Sequence, residues 1–342
     1  MRACVFKGPG APLELTQLPD PEPGPGEVVV RVRDCGICGS DLHAAGDGAE
    51  VKMPSGTILG HEFAGVVERV GTGVEGLTAG DAVAGMSYLA CGECVWCRIG
   101  QPVRCVATKL IGFGEVPGAY AEMIKLRPGS VFKIPREMSF RAGATVEPLV
   151  VGLHGLNRAG FRLGETALVM GAGTMGLLTL LWLKYAGASA VVVSEPIMER
   201  REIALSLGAD AAVDPRMHNP AAAVTSLSGS GPDVVFECIG EPGTLAQAIT
   251  YAARGGRVCV LGFSMQDDGF PPGLAMAKEL DIAFSLGLEP GEVETAIAAL
   301  ATGRISTEPL ITHTVALNDL PRAFAALPAT ANQVKVMLEF PP

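Results

Sequence analysis

Basic residues are scarce in this chain of 342 residues: Lys and Arg total 26 against 36 Asp and Glu, a formal net charge of -10. Nowhere do the cations gather into the patch that a phosphate backbone demands, so no nucleic-acid partner is expected. The opening residues, Met1-Arg-Ala-Cys4-Val-Phe-Lys7, carry no apolar signal region, and no targeting peptide is expected either. Long hydrophobic runs are nearly missing. The one that approaches membrane length, Thr166 to Val193, is broken by Gly171, Gly173, Gly176, Lys184 and Gly187. It divides into strand, turn, helix and strand, which reads as buried core and argues against a membrane partner. There is no internal repeat and no low-complexity tract. What is present is 48% hydrophobic, enough for two domains with substantial cores. Nine cysteines without a signal peptide point to a reducing compartment, the cytosol by default, and to metal binding over disulfides.

Up to about residue 145 the pattern is mostly β. Glu27-Val-Val-Val-Arg-Val-Arg33 and Ala64-Gly-Val-Val-Glu-Arg-Val70 are β-branched runs bounded by Gly and Pro. From about Glu147 the rhythm changes. Short apolar strands at Ala167–Met170, Ala190–Val193, Asp233–Phe236 and Arg257–Leu261 alternate with helices such as Leu177–Tyr185 and Ile197–Leu207. That alternation implies a parallel sheet covered on both faces. It ends near Leu286, after which Glu292–Ala301 reads as helix and Gln333–Glu339 as a final strand that returns to the first domain. The expected division is 1–147, 148–286 and 287–342, with a metal lobe at about 88–108.

Three motifs carry chemistry. Cys35-Gly-Ile-Cys38-Gly-Ser40-Asp41-Leu-His43, followed by Gly60-His61-Glu62, offers thiolate, imidazole and carboxylate, the ligand types of a zinc site that keeps one position open. Cys91-Gly-Glu-Cys94-Val-Trp-Cys97, completed by Cys105, supplies four thiolates that can close a second, purely structural tetrahedron. Cys4, Cys35, Cys238 and Cys259 lack such neighbours and read as ordinary buried residues. Gly171-Ala-Gly173-Thr174-Met175-Gly176 follows a strand and opens a helix, so its backbone can approach a pyrophosphate at the helix N-terminus. Glu195, ending the next strand, can accept hydrogen bonds from both ribose hydroxyls and repel a 2′-phosphate. That favours NAD over NADP, with Arg200 available to cover the adenine side.

These motifs in this order, with Glu147-Pro148-Leu149, resemble the zinc-dependent medium-chain alcohol dehydrogenases, and the resemblance covers essentially the whole chain. It implies a GroES-like β-barrel catalytic domain completed by the C-terminal tail, a doubly wound Rossmann domain, and an active site in the cleft between them. It implies NAD and two zinc ions per chain, one catalytic and one structural. Cys38 and His61 would be catalytic ligands. Glu147 matches the third ligand of the polyol and threonine branch, and Glu62 a carboxylate that ligates in some members. Which of the two binds directly stays open. Asp41 would orient His61 through its other ring nitrogen. Zinc lowers the pKa of bound water from about 15.7 to about 7, and a bound alcohol should respond similarly. Hydride would pass to the nicotinamide, and the proton would leave through Ser40, the nicotinamide ribose and His43. The nicotinamide would lie against Val151 and the backbone of Gly262, Phe263 and Ser264. A homodimer or homotetramer joined at the Rossmann sheet edge is implied too.

Sorbitol-type members carry a tyrosine and an Arg-Tyr pair where this chain has Ala44, Gly287 and Leu288. An unpaired buried hydroxyl costs about 1–3 kcal/mol, so polyols are disfavoured. Met86, Tyr88, Leu89, Phe113 and Leu288 are candidates for an apolar pocket. The expected substrate is a moderately hydrophobic or cyclic secondary alcohol, oxidised reversibly to its ketone. The alternatives are a polyol, 2,3-butanediol or L-threonine dehydrogenase, and, in another class, a non-catalytic NAD sensor.

Overall fold

The computed structural model describes residues 1–47, 49, 52–330 and 332–341. The chain forms two compact units, Met1–Glu147 with Glu289–Pro342, and Pro148–Leu288.

The first unit is built on the strand Val28–Gly36, whose run of valines gives it a β-branched, almost wholly buried interior. Along its full length it pairs antiparallel with Glu62–Val70. Its other edge is shared: Met123–Leu126 takes the Val28 end, and Lys335–Glu339 takes the Gly36 end. The sheet continues through Ala82–Gly85 and Val131–Lys133 on one side and Ile311–Ala316 on the other. Phe6, Val30, Phe63, Ile111, Tyr120, Ile124 and Leu338 fill the core beneath it. In the register, Gly36 stands opposite both Glu62 and Met337. Strand pairing therefore carries the Cys38 loop, the His61 loop and Lys335 to one end of the sheet.

The second unit holds a six-stranded parallel sheet in the order Ala211–Val213, Ala190–Ser194, Thr166–Met170, Val234–Glu237, Arg257–Val260, Asp281–Phe284. Four of these strands follow the sequence expectation. The two outermost, Ala211–Val213 and Asp281–Phe284, do not, because an edge strand with one neighbour needs no continuous apolar run. Helix Thr174–Tyr185 buries every residue from Gly176 to Leu183. A helix apolar all round belongs inside, and the Trp182 indole N–H is satisfied there by the Leu149 carbonyl at 2.7 Å. Among the described residues no helix is long and apolar enough to cross a membrane.

Candidate active site and metal centres

Cys38 is the N-cap of the short helix Gly39–Ala45. Asp41, three residues on, folds back so that its Oδ2 accepts the Cys38 N–H at 3.1 Å, half of a capping box. The same oxygen accepts the Tyr120 hydroxyl at 2.7 Å. Oδ1 accepts the Gly60 N–H at 3.4 Å and faces His61 Nδ1 at 3.4 Å. That nitrogen makes no hydrogen bond of good geometry among the described residues. Burial works against the charge on Asp41, yet His61, the Tyr120 hydroxyl and the Cys38 amide outweigh it and hold the carboxyl below its ordinary range. Burial likewise opposes an imidazolium at His61, but Asp41 and the Cys38 sulfur raise its pKa well above the usual value. A divalent cation between Cys38 and His61 would supply that positive charge in place of the proton.

Cys38, His61 and Glu62 present ligand atoms within 4.8 Å of one another. Glu62, however, is already engaged. Lys335 Nζ donates to both its oxygens, at 2.8 and 2.6 Å, and to the Ile37 carbonyl at 3.0 Å. Both side chains are almost fully buried, 3% and 2% exposed. Lys335 is the residue beside this group that the sequence reading misses; its signal is a lysine inside an apolar final strand. Glu147, in the first turn of helix Val146–Ala159, is not part of the 4.8 Å group. It is buried and bonded to Ser87. Burial raises its pKa, while His61 and Lys335 pull it back. A carboxyl with that environment is available to a nearby cation.

Ser40 donates to Cys38 Sγ at 3.1 Å, and His43, on the same helix, is exposed. The Phe113 ring lies 5.3 Å from that of His61 at a 41° tilt. Tyr88 and Leu89 are half-buried, but Met86 at 2% exposure and Leu288 at 1% are core residues, which removes both from the expected pocket wall. Ala44 is buried as well.

The sulfurs of Cys91, Cys94, Cys97 and Cys105 all lie within 4.8 Å of one another. Zn–S bonds of about 2.3 Å require tetrahedral edges of about 3.8 Å, and the separations Cys94–Cys97 and Cys91–Cys97 are 3.5 and 3.9 Å. Backbone N–H groups of Glu93 and Cys94 point at Cys91 Sγ, and those of Cys91 and Ala107 at Cys105 Sγ. The Cys91 amide, first among these effects, lowers the Cys105 thiol to about 6. The donor set is closed and suits zinc. Of the other cysteines, Cys4, Cys35 and Cys259 are buried as expected, whereas Cys238 is only half-buried.

At the glycine turn, the Gly171 N–H donates to Ser194 and a Cβ on Gly176 would fall 1.9 Å from the Gly171 carbonyl oxygen. Only glycine lets the helix start that close to the strand. Gly173 caps helix Thr174–Tyr185 without a side-chain bond, with Thr174 and Met175 in its half-buried first turn. Glu195 is buried and serves the backbone: Oε2 accepts the Ala172 N–H at 2.7 Å and Oε1 the Ile197 N–H at 2.9 Å. It thus ties the turn to the loop after the second strand. Arg200 is half-buried on helix Met198–Ser206. In the same unit Val151 is half-buried, and Gly262, Phe263 and Ser264 follow strand Arg257–Val260, the latter two exposed.

Residues 24–136 match the alcohol dehydrogenase GroES-like domain, and residues 174–302 the zinc-binding dehydrogenase domain. The chain is 34% identical over 328 residues to L-idonate 5-dehydrogenase of Vitis vinifera, covering 93% of this chain and 89% of that one. It is 35% identical over 350 residues to sorbitol dehydrogenase of Pongo abelii, covering 99% and 96%. The solved structure of alcohol dehydrogenase TADH from Thermus sp. ATN1 superposes with a TM-score of 0.90 at 32% identity, over 99% of each chain. The chain belongs to the zinc-dependent medium-chain alcohol dehydrogenases, with a GroES-like unit and a Rossmann nucleotide unit. It is an oxidoreductase of a family that oxidises small-molecule alcohols with zinc and NAD(P).

Proposed function

We propose that the protein oxidises a secondary alcohol with an apolar flank to its ketone, reversibly and with NAD. Cys38, His61 and Glu147 would hold the catalytic zinc. The observation that carries the ligand set is the grip of Lys335 on both oxygens of Glu62: moving Glu62 onto a metal would strand a buried ammonium. When bound, zinc polarises the alcohol oxygen and NAD accepts the hydride. The chain's own residues do the rest. Asp41 orients His61. Ser40 Oγ turns from Cys38 to accept the hydroxyl proton as it passes its own on toward exposed His43, which returns a proton to solvent. Phe113, beside His61, supports an apolar flank on the substrate. Backbone at Gly171, Gly173, Thr174, Met175 and Gly176 receives the pyrophosphate, and Glu195 the ribose hydroxyls, with Arg200 beside the adenine. Val151, Gly262, Phe263 and Ser264 flank the nicotinamide. Cys91, Cys94, Cys97 and Cys105 hold the structural zinc.

A polyol remains the second reading, favoured by the similarity to the idonate and sorbitol enzymes. Absorbance of reduced nicotinamide across apolar secondary alcohols, sorbitol, butanediol and threonine separates the two. The expected result is fastest NAD turnover on an apolar secondary alcohol, abolished in Cys38→Ala. A clear best rate on sorbitol would overturn the substrate assignment and leave the chemistry. Metal analysis tests the ligands: Glu147→Gln should lose one of two zinc ions, whereas Glu62→Gln should keep both.

Exposed Phe284 and Leu286, at 63% and 74%, lie in and just past the edge strand and support a homodimer or homotetramer of the 35.3 kDa chain. Nine free cysteines suit a reducing cytosol.

A further inference from the structure

We propose that Tyr120 is a positioning residue of the metal centre, its hydroxyl fixing Asp41 and, through Asp41, the geometry of Cys38 and His61. The inference rests on the reading that Cys38 and His61 hold zinc.

Four groups converge on the fully buried Asp41 carboxylate, three of them as hydrogen-bond donors. Two are backbone amides, of Cys38 itself and of Gly60, the residue before His61. The third is the His61 ring. The fourth and shortest is the Tyr120 hydroxyl at 2.7 Å. One carboxylate thus bonds to or faces both metal-binding segments, and Tyr120 holds the carboxylate. Without the hydroxyl, Oδ2 keeps only the 3.1 Å bond from Cys38. The broad, two-fold torsion of an Asp carboxylate then offers little resistance to rotation, and any rotation carries Oδ1 away from His61.

Tyr120 is built to bear that role. Its N–H donates to Leu59 at 2.9 Å, and its carbonyl accepts from Cys4 at 2.8 Å. Its ring meets Phe324 edge-on at 6.2 Å. It also occupies the space where a Cβ on Gly60 would lie, 2.4 Å from the ring, and Gly60 has φ +91. Glycine at 60 therefore admits both the ring and the turn that delivers His61. Burial and Asp41 keep the phenol protonated, hence a donor.

Tyr120→Phe keeps the ring and removes only the donor. Partners of a metal-bound histidine typically contribute 10–100-fold in metal affinity. With the full-length protein loaded with zinc, a chromophoric chelator should remove two ions from the wild type in separate phases. Tyr120→Phe should release the Cys38 ion 10–100-fold faster and the four-cysteine ion at an unchanged rate. The cobalt-substituted variant should show a shifted visible band. In an Asp41→Ala background, Tyr120→Phe should add nothing. Equal release rates in wild type and Tyr120→Phe, or an additive effect in the Asp41→Ala background, would reduce Tyr120 to packing. A wild type that binds a single zinc would instead sink the metal assignment itself, and the positioning role with it.

Discussion

Asp34 sits at the Cys38 end of the central strand with its Oδ1 buried and without a hydrogen bond; Arg141 Nε is 3.9 Å away, while the other two guanidinium nitrogens of Arg141 face Glu308 and Glu339. Burial pushes its carboxyl from 3.8 up to about 7, with Arg141 only partly offsetting it. The raised value means that the folded state holds a proton which the unfolded chain releases. This contribution to stability is therefore full below pH 3.8, declines as pH rises toward 7, and is gone above it. Asp34→Asn should remove that decline. Thermal melts from pH 4.5 to 8 should show the variant gaining on the wild type up to about pH 7 and levelling off, whereas parallel curves would refute the burial argument. Nothing in the sequence around Asp34 announced this, since a β-strand aspartate reads as solvent-facing. The same holds for Tyr120 and Lys335. Cys38 and His61 were legible as a pair because residue type and local spacing declare them. Their supports arrive 79 and 273 positions away from the residues they bond, where only the folded chain reveals the contact.

At the scale of elements, local pattern was informative where an element is buried on both faces and weak at edges. The strand expected at Ala190–Val193 is Ala190–Ser194, buried throughout; the helix expected at Ile197–Leu207 is Met198–Ser206, although it buries only Ala204. Asp281–Phe284 escaped because, as a short edge strand, it is only partly covered, with Asp281 and Phe284 exposed at its two ends. The glycine turn was the most readable element, because a close approach tolerates one residue type. Gly176→Ala tests it directly. The new methyl would meet the Gly171 carbonyl oxygen at 1.9 Å, pushing the helix start away from the strand. NAD binding measured by calorimetry should weaken by on the order of tenfold, about 1.4 kcal/mol. An unchanged affinity would show that the turn does not set the pyrophosphate site.

For the whole molecule, the consequential feature is the final strand, which lies between Ile311–Ala316 and the central strand Val28–Gly36 and brings Lys335 to Glu62. A chain ending at Thr330 should lose that interior strand and leave Glu62 as an unpaired buried carboxylate, a defect of about 3–5 kcal/mol. Calorimetry should then show the first unit melting early, and metal analysis should find the catalytic zinc missing, while Pro148–Leu288 still binds NAD. A truncated protein with both ions and a wild-type melting profile would contradict this. The same strand fixes an order of events at birth. Glu62 leaves the ribosome 273 residues before Lys335, an interval of roughly 14–55 s at about 5–20 residues per second. Once Phe284 has emerged, 51 residues ahead of Lys335 (335 − 284), the nucleotide unit, whose sheet lies wholly within Pro148–Leu288, has every strand it needs, and the unit begun first does not. The unit whose first strand is made earliest is therefore the one completed last.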